Sequence, residues 1–132
     1  MECLFCRIVA GEIPARQVYA DDYAIAFLDI NPWHAGHTLV IPRRHTEDLL
    51  SDAAVLAEIA PAVSATAALL TDRLGADGLN LLSNAGEVAG QEVFHFHLHL
   101  VPRYAERPGL RELTVREPGI DLDEVHRRLT AG

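Results

Sequence analysis

The chain has 132 residues, a length that suits one compact domain with room for a real core. Apolar residues make up 49% and charged residues 23%, ordinary for a soluble globular protein, and the net charge of −8 argues against a surface that tracks the phosphates of DNA or RNA. A small phosphorylated ligand stays open, because backbone N–H groups and a few histidines can hold one.

No run approaches the roughly 18 apolar residues of a membrane span, and no signal-peptide pattern opens the chain. The expectation is a cytoplasmic protein with no membrane and no nucleic-acid partner. Cys3-Leu4-Phe5-Cys6 leads into a short helix, with Gly11 just past its end. Gln17–Ala20 reads as a strand, Asp21-Asp22 as a tight turn, and Tyr23 to Asp29 as the hairpin partner. Asn31 to Gly36 is a loop by composition, and His37–Ile41 a β-branched strand closed by Pro42. A short helical turn is expected over His45 to Leu50.

Ser51-Asp52 is placed to cap a long helix whose Leu56, Ile59, Val63, Ala67, Leu70 and Leu74 share one face. Pro61 is expected to kink or divide it, and Gly75 to stop it. Gly78–Ser83 is a fourth strand, and Asn84–Gln91 a glycine-bearing loop. Past Arg103 come two Pro-Gly loops, then Asp121-Leu122-Asp123-Glu124, which resembles a capping box and starts a last helix through Leu129.

Between these lies Phe94 to Arg103, where apolar residues and histidines alternate. A strand has a side-chain period of two, so His95, His97 and His99 share one face while Phe94, Phe96, Leu98 and Leu100 anchor the other in a core. Pro102, with no N–H to give, is expected to end the ladder. A row of neutral imidazoles can bind a transition metal, or it can attack phosphorus and hold phosphate oxygens near neutral pH. A histidine-rich surface strand with no task is the bland alternative, and a strict row of three disfavours it.

The row reads His95-Phe-His97-Leu-His99-Leu-Val101, and with it the sequence resembles the histidine triad (HIT) family, in its Hint-like branch. The likeness extends to Cys3 through Pro14, Ala26 through Ile30, Gly36 through Pro42 and Asn84 through Gln91. It implies a single HIT domain over 1–132, with a core of about 3–104 and a C-terminal tail from 105. The fold class expected is α+β: an antiparallel meander sheet, one long helix packed on a face, and short helices at either end.

By resemblance, His97 is the nucleophile that takes the nucleotidyl group, His99 contacts the α-phosphate, and His95 and His37 complete the catalytic cluster. Asp29 binds the ribose, with Phe27 and Ile30 near the base. Asn84, Gly90, Gln91, Glu92 and Val93 line the phosphate side. Glu92 stands where the family usually has Ser or Thr, and a carboxylate beside a phosphate is repulsive. His99 favours hydrolysis over transfer, since the related sugar nucleotidyl transferases carry Gln there.

Cys3 and Cys6 have the spacing of half a zinc site; a redox pair or two free thiols are the alternatives. The resemblance supplies His45 and His95 as the other ligands of a structural zinc. The function expected is hydrolysis at the α-phosphate of purine nucleotides, of the nucleoside phosphoramidate or dinucleotide polyphosphate type. It proceeds through a covalent nucleotidyl-histidine, in a homodimer, with no cofactor needed for the chemistry. The rival from another class is a nucleotide-binding scaffold with little turnover, and a further rival makes the triad itself a metal site.

Overall fold

A computed structural model describes residues 3–109 and 114–132; residues 110–113 of the tail lie outside the described residues. The elements run α1 (Leu4–Val9), β1 (Gln17–Ala20), β2 (Ala24–Leu28), β3 (Thr38–Pro42), α2 (Val55–Leu74), β4 (Gly78–Leu82), β5 (Leu98–Arg103) and α3 (Leu122–Thr130). All five strands form one antiparallel sheet in the order β1-β2-β3-β5-β4. The expected α+β class holds, but the meander covers the first three strands alone. After the α2 crossover the chain lays β4 on the far edge and returns β5 into the gap beside β3.

The alternation of β2, β3 and β5 divides the core in two. Ala24, Ala26, Val40, Phe96, Leu98 and Leu100 face α2. Ile25, Phe27, Leu39 and Ile41 face the other way, where Cys3 and Phe5 of the N-terminal segment cover them. Burying Phe96, Leu98 and Leu100 therefore turns His97 and His99 to the α1 side. Phe94, expected in the apolar row, is 43% exposed and does not join it.

α2 is a 20-residue helix with mean hydropathy 1.4, long and apolar enough to cross a membrane by composition. Here it is the core helix, with Val55, Ile59, Ala62, Thr66 and Leu70 buried. That stripe is rotated from the expected one: Leu56 and Leu74 are about half exposed. Small Ala62 and Thr66 form the contact, while the larger leucines flank it. The helix runs unbroken through Pro61 and ends at Gly75, whose φ of 67° is left-handed.

Asp52 does not cap this helix. Its side chain accepts from Ala54 N–H in a turn that precedes it, and pairs with Arg44. The segment from His45 to Leu50 forms no helix. Asp121 does cap α3, accepting from Glu124 N–H at 3.1 Å.

Pro102 does not end the ladder either. β3 pairs with β5 only at Leu98–Leu100, so by Pro102 the strand bonds to β4 alone, through Leu79. On the β3 side nothing asks for the missing N–H. Gly36 fixes the approach to β3: at φ 89°, a Cβ there would lie 2.5 Å from Leu74 Cδ1 and 3.0 Å from Pro102 Cγ. Only glycine passes this point before His37.

Candidate active site and metal cluster

The ladder of β5 begins at Leu98, so His95 and His97 stand upstream of it, His95 at the end of a bend over residues 93–95. Other bonds hold that segment: Phe96 N–H donates to Thr46 O at 2.6 Å and Ser83 Oγ to His97 O at 2.6 Å. The alternation therefore survives outside the sheet, and the three histidines are buried, at 0%, 7% and 9% exposure.

Each ring's tautomer follows from its partners, because a carbonyl only accepts and a backbone N–H only donates. His97 Nδ1 lies 2.8 Å from His95 O, so Nδ1 carries the proton and Nε2 keeps its lone pair. His95 Nε2 donates to Pro42 O at 2.8 Å, so its Nδ1 holds the lone pair. Trp33 N–H donates to His37 Nδ1 at 3.1 Å, which puts the His37 proton on Nε2. That proton goes to His99 Nδ1 at 2.9 Å, leaving His99 to carry its own on Nε2. Burial lowers the pKa of all four rings, holding His95 and His99 at about 4. For His97 the hydrogen bond to His95 O and the charge of Asp29 oppose that shift. All four are neutral at pH 7.

His97 and His99 open into a cavity of about 640 Å³. Phe5, Ile8, Ile13, Phe27 and Leu39 give it an apolar lining, with Val93 packed against their cluster. Asn84, Gly90, Glu92, Asp29, Ile30 and Trp33 line it as well. Nearly all of the substrate residues expected from sequence thus meet in one place. Gln91 is the exception. Its Oε1 accepts from Gly86 N–H at 2.8 Å, and its Nε2 donates to Glu47 O and Val93 O at 2.8 and 3.1 Å. With the amide fully engaged, Gln91 braces the loop and does not line the cavity. His37 and His95 also lie behind the wall rather than in it.

Sequence reading missed the wall made by Phe5 and Ile8 of α1 with Ile13 beyond it, the Ser83 brace, and Trp33. The apolar residues of α1 signalled packing but not the surface they pack against. Asp29 is fixed by accepting from Asn31 N–H at 2.8 Å, and its other oxygen lies 3.6 Å from His37 Nε2.

Behind the cavity, Cys3, Cys6, His45 and His95 bring four potential ligand atoms together. His95 Nδ1 is 3.5 and 3.6 Å from the two sulfurs, His45 Nδ1 is 3.3 Å from Cys6 Sγ, and the two nitrogens are 3.3 Å apart. A tetrahedral ion at zinc bond lengths separates nitrogen from nitrogen by about 3.3 Å and nitrogen from sulfur by about 3.6 Å. The donor set and its spacing fit such an ion. Asp29, His37 and His99 form a second group of possible ligands. There the 2.9 Å contact between the rings already shares one proton, so it is satisfied without an ion.

A family model described as the HIT domain matches residues 10–106. An uncharacterised HIT-like protein of Methanocaldococcus jannaschii is 47% identical over 125 residues, 93% of this chain and 95% of its own. An adenylylsulfatase of Arabidopsis thaliana is 39% identical over 103 residues, 77% of this chain and 52% of that protein. Among solved structures, a HIT family protein from Bacillus subtilis superposes with TM-score 0.86 and 36% identity, over 99% of this chain and 94% of that one. A zinc-bound histidine triad family protein from Mycobacterium smegmatis gives 0.75 and 42%, over 99% and 92%. A HIT family hydrolase from Clostridium thermocellum gives 0.71 and 34%, over 83% and 96%. With a match through most of its length, and relatives alike from end to end, this chain belongs to the HIT domain family.

Proposed function

We propose that the protein is a hydrolase that cleaves the bond between a leaving group and the α-phosphate of a purine nucleotide, by way of a nucleotidyl-His97. The observation that carries this is the His97 ring: it lines the cavity, is buried and neutral, and holds its proton at Nδ1 against the His95 carbonyl, which leaves the lone pair on Nε2. Nε2 attacks phosphorus, the bond to the leaving group breaks, and the leaving group departs with the electron pair and takes a proton from solvent. Water then attacks phosphorus, the P–Nε2 bond breaks, the water's proton is lost, and nucleoside monophosphate leaves.

His99 Nε2–H donates to a phosphate oxygen, where negative charge concentrates as the bond forms. The base enters between Phe5, Phe27 and Leu39, with Ile30 at the rim. Asp29 accepts from the ribose hydroxyls. Asn84, Gly90 and Val93 border the phosphate. The names of two relatives, an adenylylsulfatase and a HIT family hydrolase, support the reaction class.

The zinc-bound relative and the four-atom cluster support zinc held by Cys3, Cys6, His45 and His95. Four protein ligands leave no open position, so its contribution is to tie α1, and with it the Phe5 wall, to the end of the His95 segment. A homodimer is supported by β4, an edge strand without Lys, Arg or Pro whose Leu81 is 55% exposed. Sedimentation at several concentrations checks it.

The test is His97→Ala, expected to lower turnover of an adenosine phosphoramidate by at least about a thousandfold while nucleotide binding survives. Intact-protein mass after a rapid quench should show an adenylyl adduct in the native chain and none in the variant. Undiminished turnover in the variant rejects the mechanism. Binding to the native chain with neither adduct nor product makes the protein a nucleotide-binding scaffold.

A further inference from the structure

Trp33 is the single tryptophan of the chain, and it stands in a loop that composition alone marks as a connection. It lines the cavity and is 50% exposed. Its ring lies parallel to His99, with an interplanar angle of 6° and centroids 5.3 Å apart. The same ring tilts over His37 at 4.7 Å. Its main-chain N–H donates to His37 Nδ1, and His37 in turn donates to His99 Nδ1. One residue therefore acts on the His37–His99 pair twice, through its backbone and through its ring.

We propose that Trp33 is a positioning residue that fixes the ring plane and the tautomer of His99, so that Nε2–H, and not a carbon, faces the α-phosphate. This rests on the phosphate-side role of His99 proposed above. The torsion that turns a histidine ring is broad and nearly two-fold, so a half-turn costs little by itself. It would bring Cε1–H to where Nε2–H stands. The bond from His37 opposes that turn at one edge of the ring. A flat indole against the face holds the plane from which Nε2–H points, which a single edge contact does not. The main-chain bond outlasts any substitution at 33, so changing the side chain isolates the stacking.

Two readouts test this, one of them independent of turnover. In the native chain, nitrogen-15 imidazole shifts of His99 should show a protonated Nε2 and a bare Nδ1. Trp33→Leu keeps the main-chain relay, so that pattern should stay there and should mix only in His37→Phe, which removes the donor to Nδ1. What should change in Trp33→Leu is the His37 Nε2–H, exchanging faster with water as the His99 plane loosens, and in Trp33→Phe the native rate should return. With an adenosine phosphoramidate, Trp33→Leu should lower kcat between about tenfold and a hundredfold, leave AMP affinity within about twofold, and Trp33→Phe should recover most of the loss. A native exchange rate and native kcat in Trp33→Leu overturn the proposal. So does a loss confined to AMP affinity, which would make Trp33 a wall of the nucleotide pocket. If the native chain forms no adduct and no product, the hydrolase reading fails, while the exchange rate of the His37 Nε2–H still decides whether Trp33 holds His99.

Discussion

Phe96 and His97 are chain neighbours that belong to opposite halves of the molecule. Phe96 sits 1% exposed among Ala24, Val40, Ile59 and Leu100, on the face covered by α2. His97 sits on the face covered by α1, edge-on to Phe5 at 5.1 Å. The helix face is held by apolar burial, which has no direction and tolerates small slack. On the α1 face, by contrast, His37, His95 and His97 each give a proton to a named acceptor, and each bond sets where the remaining lone pair or N–H points. One face fixes the fold and the other fixes chemistry.

The strongest way to break this contrast is Phe96→Ala. Removing a fully buried aromatic costs roughly 3–5 kcal/mol, so the urea midpoint should drop far more than for His97→Ala. If His97→Ala destabilised the chain as much, the two faces would not be divided as described. Close behind comes Cys6→Ala, which takes one ligand from the four-atom cluster. A zinc ion present at about a thousand times its Kd stabilises by about 4 kcal/mol. The native protein should carry about one zinc per chain, the variant little, and its melting temperature should become insensitive to a chelator that lowers the native one. Equal chelator sensitivity in both would place any metal elsewhere.

Acid should expose the α1 face next. His99 is held at about 4 by burial, against about 6.5 when free. Because the folded value is the lower one, the unfolded chain takes up the proton first as pH falls. Stability is therefore full above about pH 6.5 and is lost between there and about 4, by roughly 3 kcal/mol from this ring. The lowered pKa of His97 moves the acid limb of turnover the same way, below the ordinary histidine range. Urea unfolding at stepped pH checks the first, and a pH–rate profile the second. A limb above 6.5 would mean that the nucleophile is not buried in solution.

Much of this division is legible in the residues. Strict alternation gives the two faces from His95 to Leu100, though not at Phe94, and the Cys3–Cys6 spacing gives half of the metal cluster. The ladder's start is not legible, because alternation records only which way side chains point. Pairing also needs a neighbour, and β4 ends at Leu82 opposite His99. Sheet order is hidden for a related reason: no local pattern tells whether α2 delivers the next strand beside β3 or one place beyond. The phase of α2 fails because Val55 and Leu56 are both apolar; which one is buried depends on how closely Ala62 and Thr66 let the helix approach. Trp33 is invisible since its partners are 4 and 66 residues away, and only the fold brings all three rings together.

The smallest expected effect has the opposite sign and comes from the helix face. Thr66 is fully buried on α2, and its Oγ1 has no hydrogen-bond partner among the described residues. A buried hydroxyl without a partner loses its water and receives nothing in return. Valine has nearly the same shape and no such group, though its branched side chain is slightly poorer in a helix. Thr66→Val should therefore raise stability by about 1 kcal/mol, read as a higher urea midpoint at unchanged slope. Turnover should stay as it is, because nothing on that face reaches the cavity. A destabilised variant would show that the hydroxyl finds a partner in solution, and that polar contacts with direction hold the helix face as well.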